Sequence, residues 1–232
     1  MILKNKSENP PAKFFQDNSG DSGARKILEY AIETYKEEIV LVSSFGTDSA
    51  IILHLISQID KKLPVIFIDT EWHFAETLQY RNELVSYFNL TNVHSIQPLR
   101  ERVQKADPLG DLHAHHADLC CALRKTEPLQ NALKEYRAWI SGRKRFQTTD
   151  RLAMQVFEKD SCNRTKINPL TYWNAHDIER YFKDHHLPRH PLWHDGYQSI
   201  GCAPCTKKSI NKSDARAGRW TGCQKTECGI HL

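Results

Sequence analysis

The chain has 232 residues, 40% hydrophobic and 26% charged, with 32 Lys and Arg against 28 Asp and Glu and a formal net charge of +4 with histidine neutral. That length supports a buried core without covalent staples, and the mild charge excludes the strongly basic footprint of a dedicated nucleic-acid binder. No run approaches the roughly twenty apolar residues of a membrane helix and the opening MILKNKSENPPAKFF lacks an apolar signal region, so a cytoplasmic protein with no membrane partner is expected.

Residues 1–22 are polar, carry Pro10-Pro11 and DNSGDSG, and read as a mobile arm. An apolar-periodic helix over about 24–37 leads into IVLVSS, a continuous apolar run typical of a buried parallel strand, and a helix begins near Ser49. A second strand, LPVIFID, precedes a helix from about Phe74 to Phe88, and a third short strand lies near NVHSI. A loop of some twenty residues rich in His and Asp follows, then the helical CCALRKTEPLQNALKEY, restarted at Thr126, and RAWISGRKRFQ, a strand running into a basic loop. NAHDIERYFKDHH reads as helix and the remainder as loop. The alternation predicts an α/β fold with a mostly parallel sheet flanked by helices.

Three groups of residues carry chemistry. SSFGTDS, with Ser43, Ser44, Phe45, Gly46, Asp48 and Ser49, joins the first strand to the next helix. Small and hydroxyl residues there expose backbone N–H groups to a phosphate, although plain turn chemistry fits them as well. It is not a Walker A loop, because no Gly-Lys-Ser/Thr follows. Asp69 and Thr70 end the second strand, beside that loop if the sheet is parallel, where a cap is the competing account. The basic segments offer Arg143, Lys144, Arg145 and Arg151, and Arg216 with Arg219, as forks for a phosphate or sulfate.

The seven cysteines are an odd number, and in a reducing compartment metal binding or catalysis accounts for them better than disulfides. Cys120-Cys121 are adjacent and Cys202-Ala-Pro-Cys205 form a C-x-x-C. Four thiolates suffice for a cluster or a structural zinc; an adjacent pair makes an awkward zinc knuckle and favours iron–sulfur, while a redox C-x-x-C beside two unrelated thiols stays open. Arg124 and Lys125 follow the first pair, beside a cluster or facing an anion. Cys228 stands in the terminal ECGIHL, where a thiol has no core to rely on.

Taken in order, Cys120-Cys121, Arg124-Lys125, Pro128-Leu129, SGRKRFQ, NPL, SIGCAPCT, RAGRW and ECGIHL resemble the iron-sulfur adenylylsulfate reductases of sulfate assimilation, over nearly the whole chain from about Ala24. The resemblance implies an adenine nucleotide α-hydrolase-like, PP-loop-like fold that reduces adenosine 5'-phosphosulfate to sulfite and AMP with electrons from thioredoxin. It divides the chain into the arm 1–22, a nucleotide- and cluster-binding domain 23–215 and a flexible catalytic tail 216–232. It implies Cys120, Cys121, Cys202 and Cys205 as ligands of a 4Fe-4S cluster, Lys125 as the link between cluster and substrate, and Arg216 and Arg219 as contacts to phosphosulfate. Ser43 to Ser49, Asp69, Thr70 and Gly142 match nucleotide-binding positions, and Cys228 matches the nucleophile. Two residues depart from the pattern: Phe45 replaces a glycine, where its bulk is expected to crowd a pyrophosphate, and Glu71 stands where many relatives have glycine. Cys162 and Cys223 match nothing functional.

Three rivals remain. The 3'-phosphorylated nucleotide is the alternative substrate, with its extra phosphate on Arg143 to Arg145. An ATP-dependent tRNA sulfurtransferase shares the fold, and a zinc-stabilised nucleic-acid-binding module would use the four cysteines structurally. The sequence leaves the oligomeric state open, a homo-oligomer included.

Overall fold

A computed structural model describes residues 20–209, 216–221, 225, 227 and 229. Its order is α1 (Gly20–Tyr35), β1 (Ile39–Val42), α2 (Ser49–Ser57), β2 (Val65–Ile68), α3 (Ala75–Tyr87) and β3 (Val93–Ile96). Three short helices follow, α4 (Arg100–Ala106), α5 (Leu112–His115) and α6 (Ala117–Cys121), then a π-helical turn (Ala122–Thr126) and α7 (Glu127–Ala132). The chain continues through β4 (Ala138–Ile140), β5 (Phe157–Lys159), β6 (Thr165–Ile167), α8 (Ala175–Asp184) and α9 (Pro191–His194). No described helix is long and apolar enough to cross a membrane.

The sheet runs β3-β2-β1-β4-β6-β5, parallel throughout except for the edge strand β5. Alternation along each strand distributes its side chains between the two faces. Ile39, Leu41, Val65, Phe67, Ala138 and Ile140 join the larger core, which also contains residues of α1, α2 and α8. Val40, Val42, Ile66, Ile68 and Trp139 face the other way, onto Leu129 and Leu133. Helices therefore cover both faces, which is why IVLV and VIFI are apolar at every position. Asn174 and Asp177 start α8 with a reciprocal capping box.

The chain runs β1, β2, β3 toward one edge and then returns to place β4 on the other side of β1. That reversal opens a crevice beyond the carboxyl ends of β1 and β4, the position where open α/β sheets bind ligands.

The expected elements lie within a few residues of the observed ones, with α1 starting at Gly20 and residues 1–19 of the expected arm outside the described residues. Two expectations are corrected. The His- and Asp-rich loop contains α4, α5 and α6, each too short to show helical periodicity. The β5–β6 hairpin was not expected, because FEK and TKI are three residues long and carry the charges of Glu158, Lys159 and Lys166.

His190 at the start of α9 fixes that helix to α3: its Nδ1 accepts the Leu192 N–H at 3.2 Å and its Nε2 lies 3.0 Å from Thr77 Oγ1. The ring is fully buried, and burial lowers its pKa from 6.5 to about 4. A depressed folded-state pKa means that the stabilisation is present above 6.5 and is lost as pH falls through 4. Going from pH 7 to pH 5 should cost about 2 kcal/mol through this residue alone. Urea unfolding of wild type and His190→Asn at the two pH values checks this; the variant should lose less stability by about that amount, and equal losses would refute the assignment.

Candidate active site

The loop after β1 forms the first wall of the crevice. Ser43 Oγ accepts the Phe45 N–H at 3.2 Å and Ser49 N–H donates to the Gly46 carbonyl at 3.0 Å, closing the turn that delivers the chain into α2. Asp48 stands at the N-cap of α2 without capping it; its carboxylate accepts from Lys144 Nζ at 2.9 Å and Gln147 Nε2 at 3.3 Å. Thr47 Oγ1 donates to the Gln198 carbonyl at 2.9 Å, which draws the 199–201 segment over the loop.

The end of β4 supplies the opposite wall through Ser141, Gly142, Arg143 and Lys144, followed by Gln147 and Arg151. Arg143 donates to Glu158 at 2.7 Å, yet its Nε, like that of Arg219, has no hydrogen-bond partner among the described residues. Buried donors of this kind call for an acceptor from outside the chain. Nearby, Lys166 lies buried over the Trp139 ring at 4.7 Å, and burial, followed by the charge of Arg143, pulls its pKa down to about 7. The field here favours an incoming anion.

A third wall comes from the segment 216–221. Arg219 is bridged to Thr206, Trp220 N–H donates to the Cys205 carbonyl at 3.1 Å, and Lys207 N–H to that of Gly218 at 2.7 Å. These bonds hold Arg216 and Arg219 on the crevice. Glu227 lines it too, with its carboxylate 2.5 Å from Arg151 Nε, 2.8 Å from Arg151 Nη2 and 3.3 Å from Arg216 Nη2.

The four paired cysteines are not among the lining residues but sit on segments that enter the crevice at Lys125 and Gly201. Cys120 and Cys121 end α6, and the π turn that follows brings Lys125 to the crevice while Arg124 is buried on Asp107 at 3.0 Å and Glu71 at 3.1 Å. Cys202 is bridged to His73, with its Sγ 3.2 Å from Thr70 Oγ1, and Ala203 N–H donates to the Trp72 carbonyl at 2.7 Å. Neither pair forms a disulfide. Burial, then neighbouring Cys202, pushes the Cys120 thiol up to about 11, with Cys205 adding to the effect. Among the described residues no three His, Cys, Asp or Glu side chains close around the point one metal ion would occupy.

Of the residues singled out from the sequence, Ser43, Ser44, Gly46, Asp48, Ser49, Lys125, Gly142, Arg143, Arg151, Arg216 and Arg219 line the crevice. Four others lie elsewhere. Arg145 donates to the Met154 carbonyl at 2.7 Å and lies over the Tyr172 ring. Asp69 accepts from the Glu71 N–H at 3.0 Å and from Gln97, and Thr70 is fully buried. Phe45 corrects an expectation: it is fully buried edge-on to Phe67, so its bulk lies in the core and does not crowd an anion. The loop takes the left-handed conformation that glycine favours, φ 48° at Phe45, and Glu71 does the same at 64°. Cys162 is exposed, its Sγ 3.4 Å from Gln130 Oε1. Cys223, Cys228 and His231 lie outside the described residues.

The crevice also contains residues that the sequence did not single out. His73 donates from Nε2 to the Ile68 carbonyl at 3.0 Å, burial lowers its pKa, and its Nδ1 has no partner among the described residues. Glu227 and the Ser199–Gly201 strip, which the sequence offered only as parts of ECGIHL and SIGCAPCT without a role, line it as well. Only their tertiary neighbours mark them.

The phosphoadenosine phosphosulfate reductase domain model matches residues 38–208. The chain is 50% identical over 202 residues to the adenosine 5'-phosphosulfate reductase of Mesorhizobium japonicum, covering 87% of this chain and 79% of that one. Its likeness to the enzyme of the same name from Oceanobacillus iheyensis is 39% over 233 residues, covering 100% and 97%. Among solved structures it is similar to the phosphoadenylyl-sulfate reductase of Candida auris in its phosphate complex, with TM-score 0.67 and 29% identity over 79% of this chain and 90% of that one. FMN adenylyltransferase of Candida glabrata shares the fold at TM-score 0.60 and 18% identity, over 81% and 64% of the two chains.

Two glycines distinguish the arginine-bearing wall from its scaffold. A Cβ on Gly201 would meet Arg219 Nη2 at 2.2 Å, a movable side-chain end, whereas one on Gly218 would meet the Lys207 carbonyl oxygen at 2.1 Å. Gly201→Ala should therefore displace the guanidinium alone and weaken inorganic sulfate binding about tenfold with an unchanged melting temperature. Gly218→Ala should lower the melting temperature as well. Calorimetric titration and thermal unfolding of both variants check the contrast.

Proposed function

Because the chain belongs to the phosphoadenosine phosphosulfate reductase family, we propose that it reduces adenosine 5'-phosphosulfate to sulfite and AMP, with Cys228 as the nucleophile. The observation that carries this reading is the crevice itself: arginines from two segments converge on it, Lys125 enters it from the turn after Cys120-Cys121, and Glu227, the residue before Cys228, lies on its wall. The PP-loop-like sheet offers the nucleotide a backbone turn at Ser43 to Ser49, and Gly142 lets the chain approach closely. Arg143, Arg216, Arg219 and Lys125 surround the phosphosulfate, where their charge offsets that of both anionic groups.

The reaction balances on thiol chemistry. The Cys228 thiolate attacks the sulfate sulfur, the bond between that sulfur and the bridging oxygen breaks, and AMP leaves with the electron pair. The tail then carries an S-sulfocysteine. A dithiol reductant of the thioredoxin class attacks Cys228 Sγ, releasing sulfite and forming a mixed disulfide that its second thiol resolves. The reductant loses two electrons, sulfur gains them, and the Cys228 thiol is restored. The tail lies on the crevice for the first step and presents Cys228 to a protein partner for the second.

Cys120, Cys121, Cys202 and Cys205 are the residues that would hold a 4Fe-4S cluster. Their fit rests on the donor set: four cysteine sulfurs outside any disulfide. When bound, the cluster supplies a charged, sulfur-rich surface next to Lys125 that tunes the field at the substrate; both electrons come from the thiols.

The unphosphorylated nucleotide is favoured over its 3'-phosphorylated relative because, of Arg143 to Arg145, both Lys144 and Arg145 are engaged within the chain. Arg145 faces Tyr172 and Met154, and Lys144 is held by Asp48. A cytoplasmic setting suits the reduced thiols the chemistry needs.

Intact mass spectrometry of the anaerobically purified protein with adenosine 5'-phosphosulfate and no reductant tests the nucleophile. A gain of about 80 mass units, the size of a sulfonate on sulfur, should map to Cys228, disappear on adding thioredoxin and be absent in Cys228→Ser. An adduct on another residue, or none, would contradict the reading.

A further inference from the structure

We infer that Glu227 is a positioning residue for the reaction: its carboxylate, clamped in the crevice by Arg151 and Arg216, fixes the chain one residue before Cys228. The inference rests on the reading of Cys228 as the nucleophile and adds how its neighbour is held.

Glu227 and Arg151 are each 5% exposed. Their contact is a two-pronged one, with Nε and Nη2 of Arg151 on the two carboxylate oxygens, and Arg216 adds a third donor. A carboxylate withdrawn this far from water is tolerated only when its partners are fixed in place. The fork geometry also sets its orientation, because a guanidinium presents paired donors in one plane.

Arg151 is committed to this task. Its third nitrogen, Nη1, donates to Gln147 Oε1, so all three nitrogens already have acceptors within the chain. Arg143 and Arg219, by contrast, each retain a buried Nε without a partner among the described residues. Arg151 is therefore spent on the tail, while Arg216, which also reaches Glu227, lines the crevice with Arg143 and Arg219.

Two further described positions agree. Lys225 pairs with Asp118 on α6. At position 229 a Cβ would lie 3.1 Å from Thr126 Oγ1 and 3.8 Å from Cys121 Cβ, so this glycine sits close against Thr126 and Cys121. Residues on either side of Cys228 are thus anchored, one by charge and one by close approach. A Glu227 that merely neutralised arginines would instead compete with the nucleotide for them.

Single-turnover kinetics separate the two roles. Full-length protein, purified anaerobically, is mixed with adenosine 5'-phosphosulfate without reductant, and adduct formation is followed by quenched flow and intact mass while AMP affinity is titrated separately. In Glu227→Gln the adduct should form roughly tenfold to a hundredfold more slowly, as a displaced nucleophile does, with AMP affinity unchanged; a rise in AMP affinity would instead mark a carboxylate that competes with the nucleotide. Glu227→Asp, which retains the charge on a shorter stem, should fall between. Adduct formation at the wild-type rate would overturn the inference, and so would a parallel loss of AMP affinity in both variants, which would make Glu227 part of the pocket's structure. If wild type itself forms no adduct, the nucleophile assignment has failed, and the inference with it.

Discussion

Positive charge gathered out of water at the carboxyl edge of a parallel sheet is the constraint on which the rest of this molecule depends. Arg143, Lys144, Arg151 and Lys166 are all buried there, and each such cation costs several kcal/mol to desolvate unless an anion faces it. The chain supplies Glu158 to Arg143, Asp48 to Lys144 and Glu227 to Arg151. The Nε atoms of Arg143 and Arg219 remain buried without an acceptor among the described residues. A bound anion completes what the fold begins, and the same electrostatics favour an anionic ligand.

That charge could not be assembled by one segment. β1 and β4 meet at the reversal of strand order, bringing the Ser43 to Ser49 loop opposite Gly142 and the basic loop. The C-x-x-C segment rests on the turn after β2 through the His73–Cys202 bridge and the Ala203–Trp72 hydrogen bond. It in turn carries Arg219 and Trp220 through Thr206 and Cys205. Cysteine pairs, arginines and tail are therefore mechanically joined, so a ligand held at the four cysteines would stiffen the wall that presents the arginines.

Much of this was legible in the sequence, for identifiable reasons. Buried strands such as IVLV and VIFI announce themselves by unbroken hydrophobicity, and NAHDIERYFKDHH reads as the helix that α8 is. Motif order pointed to most of the residues that line the crevice. What failed to show was whatever depends on where a side chain points. Phe45 read as an obstruction because bulk is visible in sequence and rotation into the core is not. Arg145 and Arg151 sit in one basic loop and look equivalent, yet one lies over Tyr172 and the other clamps Glu227. The β5–β6 hairpin hid because its strands are short and charged, and Glu227 because its partner is 76 residues away.

The central claim, that this cationic crevice binds adenosine 5'-phosphosulfate for reduction at sulfur, is tested most directly by product stoichiometry. Purified protein, reduced thioredoxin and adenosine 5'-phosphosulfate should yield sulfite and AMP in equal amounts, with one thioredoxin dithiol oxidised for each sulfite formed. Formation of AMP and pyrophosphate from ATP, with no sulfite from the phosphosulfate, would contradict the account and move the protein to ATP-dependent sulfur transfer.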